Sequence, residues 1–225
     1  MDRLASGGDV EGGGSDDTTS ARHYFSSAPS GRDQRESFEV EGVWGTLHME
    51  SASGVFASHG LDRGTEVLLD SLRRHPISTP ADGSLVVDLG CGSGVLALVM
   101  ARLWPACRVM AVDVNSRALE VCAANARRNG IVNVETRLPE ETRAEPVARM
   151  WSNPPVRIGK EALHTLLDRW MPLLPSDGEA RMVVGRHLGS DSLARWMDTR
   201  GWTVERLASA RGFRVLRVSV PTQIQ

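Results

Sequence analysis

The chain has 225 residues, 41% hydrophobic and 24% charged, enough for one well-buried core and a small appendage. A net charge of −2 announces no overall basic field for nucleic acid. No apolar run reaches the roughly 18 residues of a membrane span, and Cys91, Cys107 and Cys122 are too scattered for a disulfide framework. The start of the chain lacks the apolar stretch of a signal peptide, so a reduced, cytoplasmic setting is expected, with no membrane association. No metal site is predicted.

Residues 1–20 carry a net −4, against +2 for the other 205. They are rich in Gly, Ser, Asp and Thr and are predicted to form a disordered acidic tail. Residues 21–77 read as a small N-terminal layer. In it Ser37–Glu41 and Thr46–Glu50 alternate like the strands of a hairpin, and Gly64-Thr65 opens a helix running through Leu72. His23, Tyr24 and Phe25 either cover a site or pack within that layer. A linker marked by Pro76, Pro80 and Gly83 leads into residues 78–225, read as the main domain.

There strands and helices alternate. Leu85–Leu89 is a strand, Val95–Met100 a buried helix and Arg108–Asp113 a strand. A helix from Ser116 to Arg128 stops at Asn129-Gly130. Strands near Val132–Thr136, Val147–Ser152 and Ala180–Gly185 follow, with helices at Lys160–Met171 and Ser190–Arg200. The last two strands, Thr203–Leu207 and Phe213–Val218, are joined by Ala208–Gly212, too short for a parallel crossover. The predicted fold is α/β, a mostly parallel seven-stranded sheet ending in an antiparallel C-terminal hairpin. The arginines at 181, 186, 195, 200, 206, 211, 214 and 217 alternate with acids and read mostly as solvated surface.

Two motifs carry chemistry. The first is Asp88-Leu89-Gly90-Cys91-Gly92-Ser93-Gly94, a strand, a glycine turn and a helix start. The glycines let the backbone turn sharply and approach a ligand, and the new helix points free N–H groups into the turn. Dinucleotide sites follow G-x-G-x-x-G; here Val95 stands where the last glycine would be, and no P-loop lysine follows. Asp113, at the tip of the next strand, is placed to accept both hydroxyls of a ribose. A ribose ligand without a pyrophosphate fits S-adenosylmethionine. A plain strand–helix turn, with Asp113 a helix cap and Cys91 only a small residue, is the blander alternative.

The second motif, Asn153-Pro154-Pro155-Val156, follows the strand ending at Ser152, where ligands of open α/β sheets bind. The Asn153 side-chain oxygen and the Pro154 carbonyl can accept the two N–H groups of an aromatic amine and aim its nitrogen at a methyl group. Prolines hold this geometry through their fixed φ. An ordinary loop is the alternative. Lys160, the single lysine among 26 basic residues, sits with Arg157 beside this loop at a helix start that favours an anion, a solvated surface lysine being the plain alternative.

These motifs, with His23-Tyr24-Phe25-Ser26, Gly54-Val55-Phe56, Gly64-Thr65, Ala111–Asn115, Arg157–Lys160 and Gly185–Gly189, resemble the small-subunit ribosomal RNA guanine-N2 methyltransferases of the RsmC type, in their short single-catalytic-domain branch. The resemblance spans about Arg22 to Val218. It implies a Rossmann-like class I methyltransferase fold, S-adenosylmethionine as donor, and the 2-amino group of a guanine in 16S ribosomal RNA as acceptor, with ribosomal RNA or the small subunit as partner. It further implies that Asp88, Gly90, Cys91, Gly92, Ser93, Gly94, Asp113 and Val114 hold the cofactor. Asn153, Pro154, Pro155 and Val156 would form the catalytic loop, and Phe56, Arg157 and Lys160 would face the substrate. Val156 departs from the aromatic residue common in that loop, and Ala148-Arg149 stands where an acid is common. Related Asn-Pro-Pro loops act on protein glutamine amides and on the 6-amino group of adenine, and a non-catalytic RNA-binding protein on the same fold is a further alternative.

Overall fold

A computed structural model describes residues 35–55, 60–154 and 159–221. Its first elements are β1 (Arg35–Gly42), β2 (Gly45–Ala52), α1 (Arg63–Arg74), β3 (Leu85–Leu89), α2 (Val95–Leu103), β4 (Arg108–Val112) and α3 (Ser116–Arg128). Then come β5 (Val134–Arg137), β6 (Val147–Ser152), α4 (Lys160–Trp170), β7 (Glu179–Gly185), α5 (Ser190–Thr199), β8 (Thr203–Ala210) and β9 (Phe213–Ser219). The expected tail 1–20 and His23–Ser26 lie outside the described residues.

Seven strands form one sheet in the order β5-β4-β3-β6-β7-β9-β8. β3 through β7 pair in parallel, whereas β9 runs antiparallel to both β7 and β8. The expected reversed pair is present, but β9 slots inside it and leaves β8 at the edge. The two strands extend further than expected and meet at Arg211-Gly212, both with positive φ (50° and 82°). That pair gives a tight turn whose twist matches the strands.

Side chains alternate across the sheet, so two cores form. Val86, Val109, Ala111, Trp151, Val183 and Val215 face one side and pack with α1, α2 and α3. Val87, Leu89, Met110, Met150, Met182 and Leu216 face the other with α4 and α5. β3 is buried along its whole length, as a central strand covered on both faces must be.

The β1–β2 hairpin stands apart from this sheet and is joined to α3 by two asparagines. Asn125 accepts Glu50 N at 2.8 Å and returns a bond to Glu50 O at 2.8 Å. One turn on, Asn129 does the same for His48 N (2.9 Å) and His48 O (2.8 Å). Each amide acts as a strand would, satisfying both backbone groups of a residue on the edge of β2.

Two arginines are buried, and one of them, Arg181, revises the surface reading. Arg181 is 1% exposed; it pairs with Glu179 at 2.6 Å and donates to His75 O at 2.5 Å. Arg149, also buried, donates to Ser78 Oγ, Ser78 O and Asp177 O. The linker after α1 carries carbonyls into the interior, and these guanidinium forks, with five donors each, satisfy several at once. Arg214 too is mostly covered, its side chain 14% exposed beside Asp191.

Candidate functional site

β3, α2 and the end of β4 build one wall of a cleft. The chain leaves β3 after Leu89 and turns through Gly90, Gly92 and Gly94, with φ of 79°, 53° and 90°. Gly90 N and Cys91 N bond to Val112 O at 2.8 and 3.0 Å, which ties the turn to β4. Gly94 is required twice over. Its φ suits glycine, and a Cβ there would lie 2.4 Å from Cys122 Sγ on α3. Asn125 reaches the same turn, donating to Ser93 O at 2.9 Å.

Asp113, half-buried at the tip of β4, accepts Gly92 N through Oδ2 and Asn115 N through Oδ1, both at 2.9 Å. Burial pushes its pKa up, and the backbone N–H groups of Asn115, Gly92 and Val114 pull against that. Asp88 is buried at the base of the turn, with Oδ2 accepting Ala97 N at 2.9 Å and Oδ1 buried without a partner. Desolvation pushes its carboxyl up to about 8, opposed by the Ala97 N–H and reinforced by the Asp113 charge. The Cys91 thiol is raised well above the thiol range, first by its hydrogen bond with Cys122 and then by burial. It is therefore a poor nucleophile, in keeping with its reading as a small turn residue.

Asn153 builds the opposite wall, just past β6. Its Nδ2 donates to Asp62 Oδ1 at 2.6 Å and to Thr65 Oγ1 at 3.0 Å. Asp62 is the N-cap of α1, its Oδ1 also accepting Gly64 N (2.8 Å) and Thr65 N (3.1 Å). No described residue donates to Asn153 Oδ1. Leu61, Asp62, Thr65, Asp88, Gly90, Cys91, Gly92, Ser93 and Asn153 line the cleft together. Ser152 Oγ, bonded to Leu89 O at 2.6 Å, fixes the two strand ends side by side.

The fold thus gathers the glycine turn, Asp88 and Asn153 around one space, with Asp113 bonded to the turn. Pro154 is buried beside Asn153, Val114 is 56% exposed beside Asp113, and Lys160 is exposed at the start of α4. Phe56, Pro155, Val156 and Arg157 lie outside the described residues. The sequence reading missed Asp62 and the role of Thr65. The signal available was an N-cap acid before Gly64-Thr65, which marks a helix start but not what it touches.

These residues suit an adenosyl ligand bearing an ammonium and a sulfonium. The Asp113 carboxylate, with about four acceptor sites, keeps capacity for a ribose hydroxyl beyond the backbone N–H groups it already accepts. The orphaned Asp88 Oδ1 is a buried polar atom on the cleft that calls for a hydrogen-bond partner. Among the described residues no cluster of His, Cys, Asp or Glu fits a metal ion, and no helix is long and apolar enough to cross a membrane.

Residues 46–217 match the methyltransferase small domain family. YbxB of Bacillus subtilis, named only as an uncharacterized protein, is 26% identical over 201 residues, covering 88% of this chain and 98% of its own length. Ribosomal RNA small subunit methyltransferase C of Enterobacter sp. strain 638 is 31% identical over 203 residues, covering 85% of this chain and 56% of that protein. The chain spans about half the length of the curated relatives bearing that name. In shape it is similar to the Thermus thermophilus 16S rRNA N2 G1207 methyltransferase (RsmC), solved with AdoMet and guanosine. The TM-score is 0.70 at 18% identity, covering 83% of this chain and 51% of that one.

Proposed function

The chain belongs to the methyltransferase small domain family, and from that premise we propose that it methylates the exocyclic 2-amino group of a guanine in 16S ribosomal RNA, with S-adenosylmethionine as donor. When bound, S-adenosylmethionine supplies a methyl group on a sulfonium, activated for transfer to a weak nucleophile. Asp113 would hold the ribose hydroxyls, the Gly90–Gly94 turn would admit the ligand close to the backbone, and Asp88 would offer Oδ1 to a donor of the ligand's amino-acid end.

On the acceptor side the chain orients rather than titrates. A guanine 2-amino group is planar and has its lone pair in the ring. Asn153 Oδ1 and the Pro154 carbonyl, accepting one N–H each, would turn that lone pair toward the methyl group and exclude other approach angles. The cleft supplies hydrogen-bond acceptors where the amine sits, and that need is met without a shifted acid or base.

The observation that carries this reading is the orientation of Asn153. Its amide nitrogen is committed to Asp62 and Thr65, which leaves its carbonyl oxygen for a substrate amine, across the cleft from the glycine turn. The relatives named for ribosomal RNA support the choice of guanine in RNA over other planar nitrogens. The test is incubation of 30S subunits and free 16S RNA with labelled S-adenosylmethionine, followed by nucleoside analysis. N2-methylguanosine is the expected product. Label in N6-methyladenosine or in protein glutamine instead would reassign the acceptor.

A further inference from the structure

An asparagine amide has two ends of nearly equal size and opposite hydrogen-bonding sense, so its usefulness as an acceptor depends on which end faces the substrate. We propose that Asp62 and Thr65 are positioning residues that lock Asn153 with its oxygen toward the acceptor; this rests on the proposed methylation of a planar amine. A carboxylate only accepts, so the 2.6 Å contact with Asp62 Oδ1 must come from the amide nitrogen. Thr65 Oγ1, at 3.0 Å, takes the second N–H. With both N–H groups committed, flipping the amide would put its oxygen against a carboxylate and leave the donors unpaired.

The lock is itself rigid. Asp62 holds β-region backbone (φ −63°, ψ 139°) at the head of α1, and its Oδ1 gathers two backbone N–H groups besides Asn153. The positive end of the helix attracts that side-chain oxygen. Gly64 leaves room for it: a Cβ there would stand 3.0 Å from Asp62 Oδ1 and 3.1 Å from the Phe213 ring. α1 in turn is fixed to the sheet through buried Val67, Leu68, Leu69 and Leu72. A helix start 91 residues upstream of Asn153 thereby sets the geometry of the acceptor site.

The experiment separates capping from positioning. Asp62→Ser keeps a capping oxygen for α1 on a side chain too short to reach Asn153. Thr65→Val removes the second acceptor at nearly constant shape, and Asp62→Asn retains an Oδ1 for all three donors. Both Asp62→Ser and Thr65→Val are expected to lower kcat for RNA by about 10- to 100-fold. S-adenosylmethionine affinity and KM for RNA should stay within about threefold, and Asp62→Asn should recover at least about fivefold over Asp62→Ser, because the acceptor returns without its charge. The side-chain amide resonances of Asn153, assigned by their loss in Asn153→Asp, should move toward those of a free amide in Asp62→Ser. Unchanged kcat and unchanged resonances in Asp62→Ser or Thr65→Val overturn the proposal. Were Asp62→Ser to lose its cooperative melting transition, Thr65→Val decides alone. Resonances that shift as expected in a protein whose wild type makes no N2-methylguanosine would uphold the lock and refute the guanine reading instead.

Discussion

The two walls of the cleft are built on different length scales. On the glycine-turn wall the carboxylate contacts are short in sequence: Asp113 to Asn115 across 2 positions, Asp88 to Ala97 across 9, Asp113 to Gly92 across 21. One β–α–β unit makes it, with carboxylates answering backbone N–H groups that the turn itself exposes. On the Asn153 wall the contacts span 91 and 88 positions and run from side chain to side chain. That wall exists only once α1 has docked on the sheet and the linker behind it has been strapped down by Arg149 and Arg181. The first wall is a local product of the chain and the second a tertiary one. Perturbing them should separate donor binding from methyl transfer.

The largest expected effect lies on the tertiary wall. Asn153→Ala removes the side-chain acceptor for the amine and should lower kcat by about 100- to 1,000-fold, the scale of losing one preorganised hydrogen-bonding group in an active site. Donor affinity by calorimetric titration should change less than about threefold. If donor affinity falls as far as turnover, the two walls are not separable. On the local wall Gly94→Ala forces a positive φ on alanine and drives a methyl group to 2.4 Å from Cys122 Sγ. The cost should be about 2 kcal/mol or more, read as a melting temperature roughly 4–8 °C lower. Cys122→Ala in the same chain should recover the steric part and leave the backbone part. Asp113→Ala removes a charged acceptor worth about 1.5–3 kcal/mol per hydrogen bond. It should weaken S-adenosylmethionine roughly tenfold or more while kcat at saturating donor is largely kept.

Asp88 links the local wall to pH. Its carboxyl titrates at about 8 in the folded chain against 3.8 for an ordinary aspartate. Between those values the folded state keeps a proton that the unfolded chain has lost, so stability falls as pH rises from about 4 to about 8. Asp88→Asn, neutral throughout and still offering an oxygen to Ala97 N, should flatten that slope. The check is the melting temperature of the ligand-free protein from pH 5 to 8; parallel curves for wild type and variant would mean that Asp88 is ionised across the range.

The local wall was legible in the residues because its signals are local: a β-branched run, glycines at alternate positions, an acid one strand later. Asn153-Pro154 was legible for the same reason. What holds Asn153 was not, since an Asp before Gly64-Thr65 reads as a helix cap whether or not it touches anything else. Arg181 was misread because burial of its guanidinium depends on carbonyls of the linker, at His75 and Pro76, that periodicity does not register. The place of β9 between β7 and β8 was equally out of reach, because a short connection specifies antiparallel pairing but not which strand takes the edge.

The smallest effect is expected at Lys160, where the acceptor wall meets solvent. Composition makes this residue stand out: one lysine among 26 basic residues. It is the first residue of α4, exposed, behind Gly159, which supplies no side-chain cap. No described carboxylate forms an ion pair with it. The helix dipole disfavours a cation at that end and favours an anion, so a lysine there gains from a negative partner drawn from outside. An RNA nucleotide extruded toward Asn153 brings its own phosphates to this rim. Lys160 is then a compact point charge for one phosphate and takes no part in the chemistry. Lys160→Ala should raise KM for RNA by a few-fold and reduce the slope of log affinity against log salt by about one contact. Donor affinity and kcat at saturating RNA should hold, which places the residue outside both walls. RNA affinity and salt slope both unaltered would leave Lys160 an ordinary solvated residue, and the phosphate contact would have to be sought elsewhere on the rim.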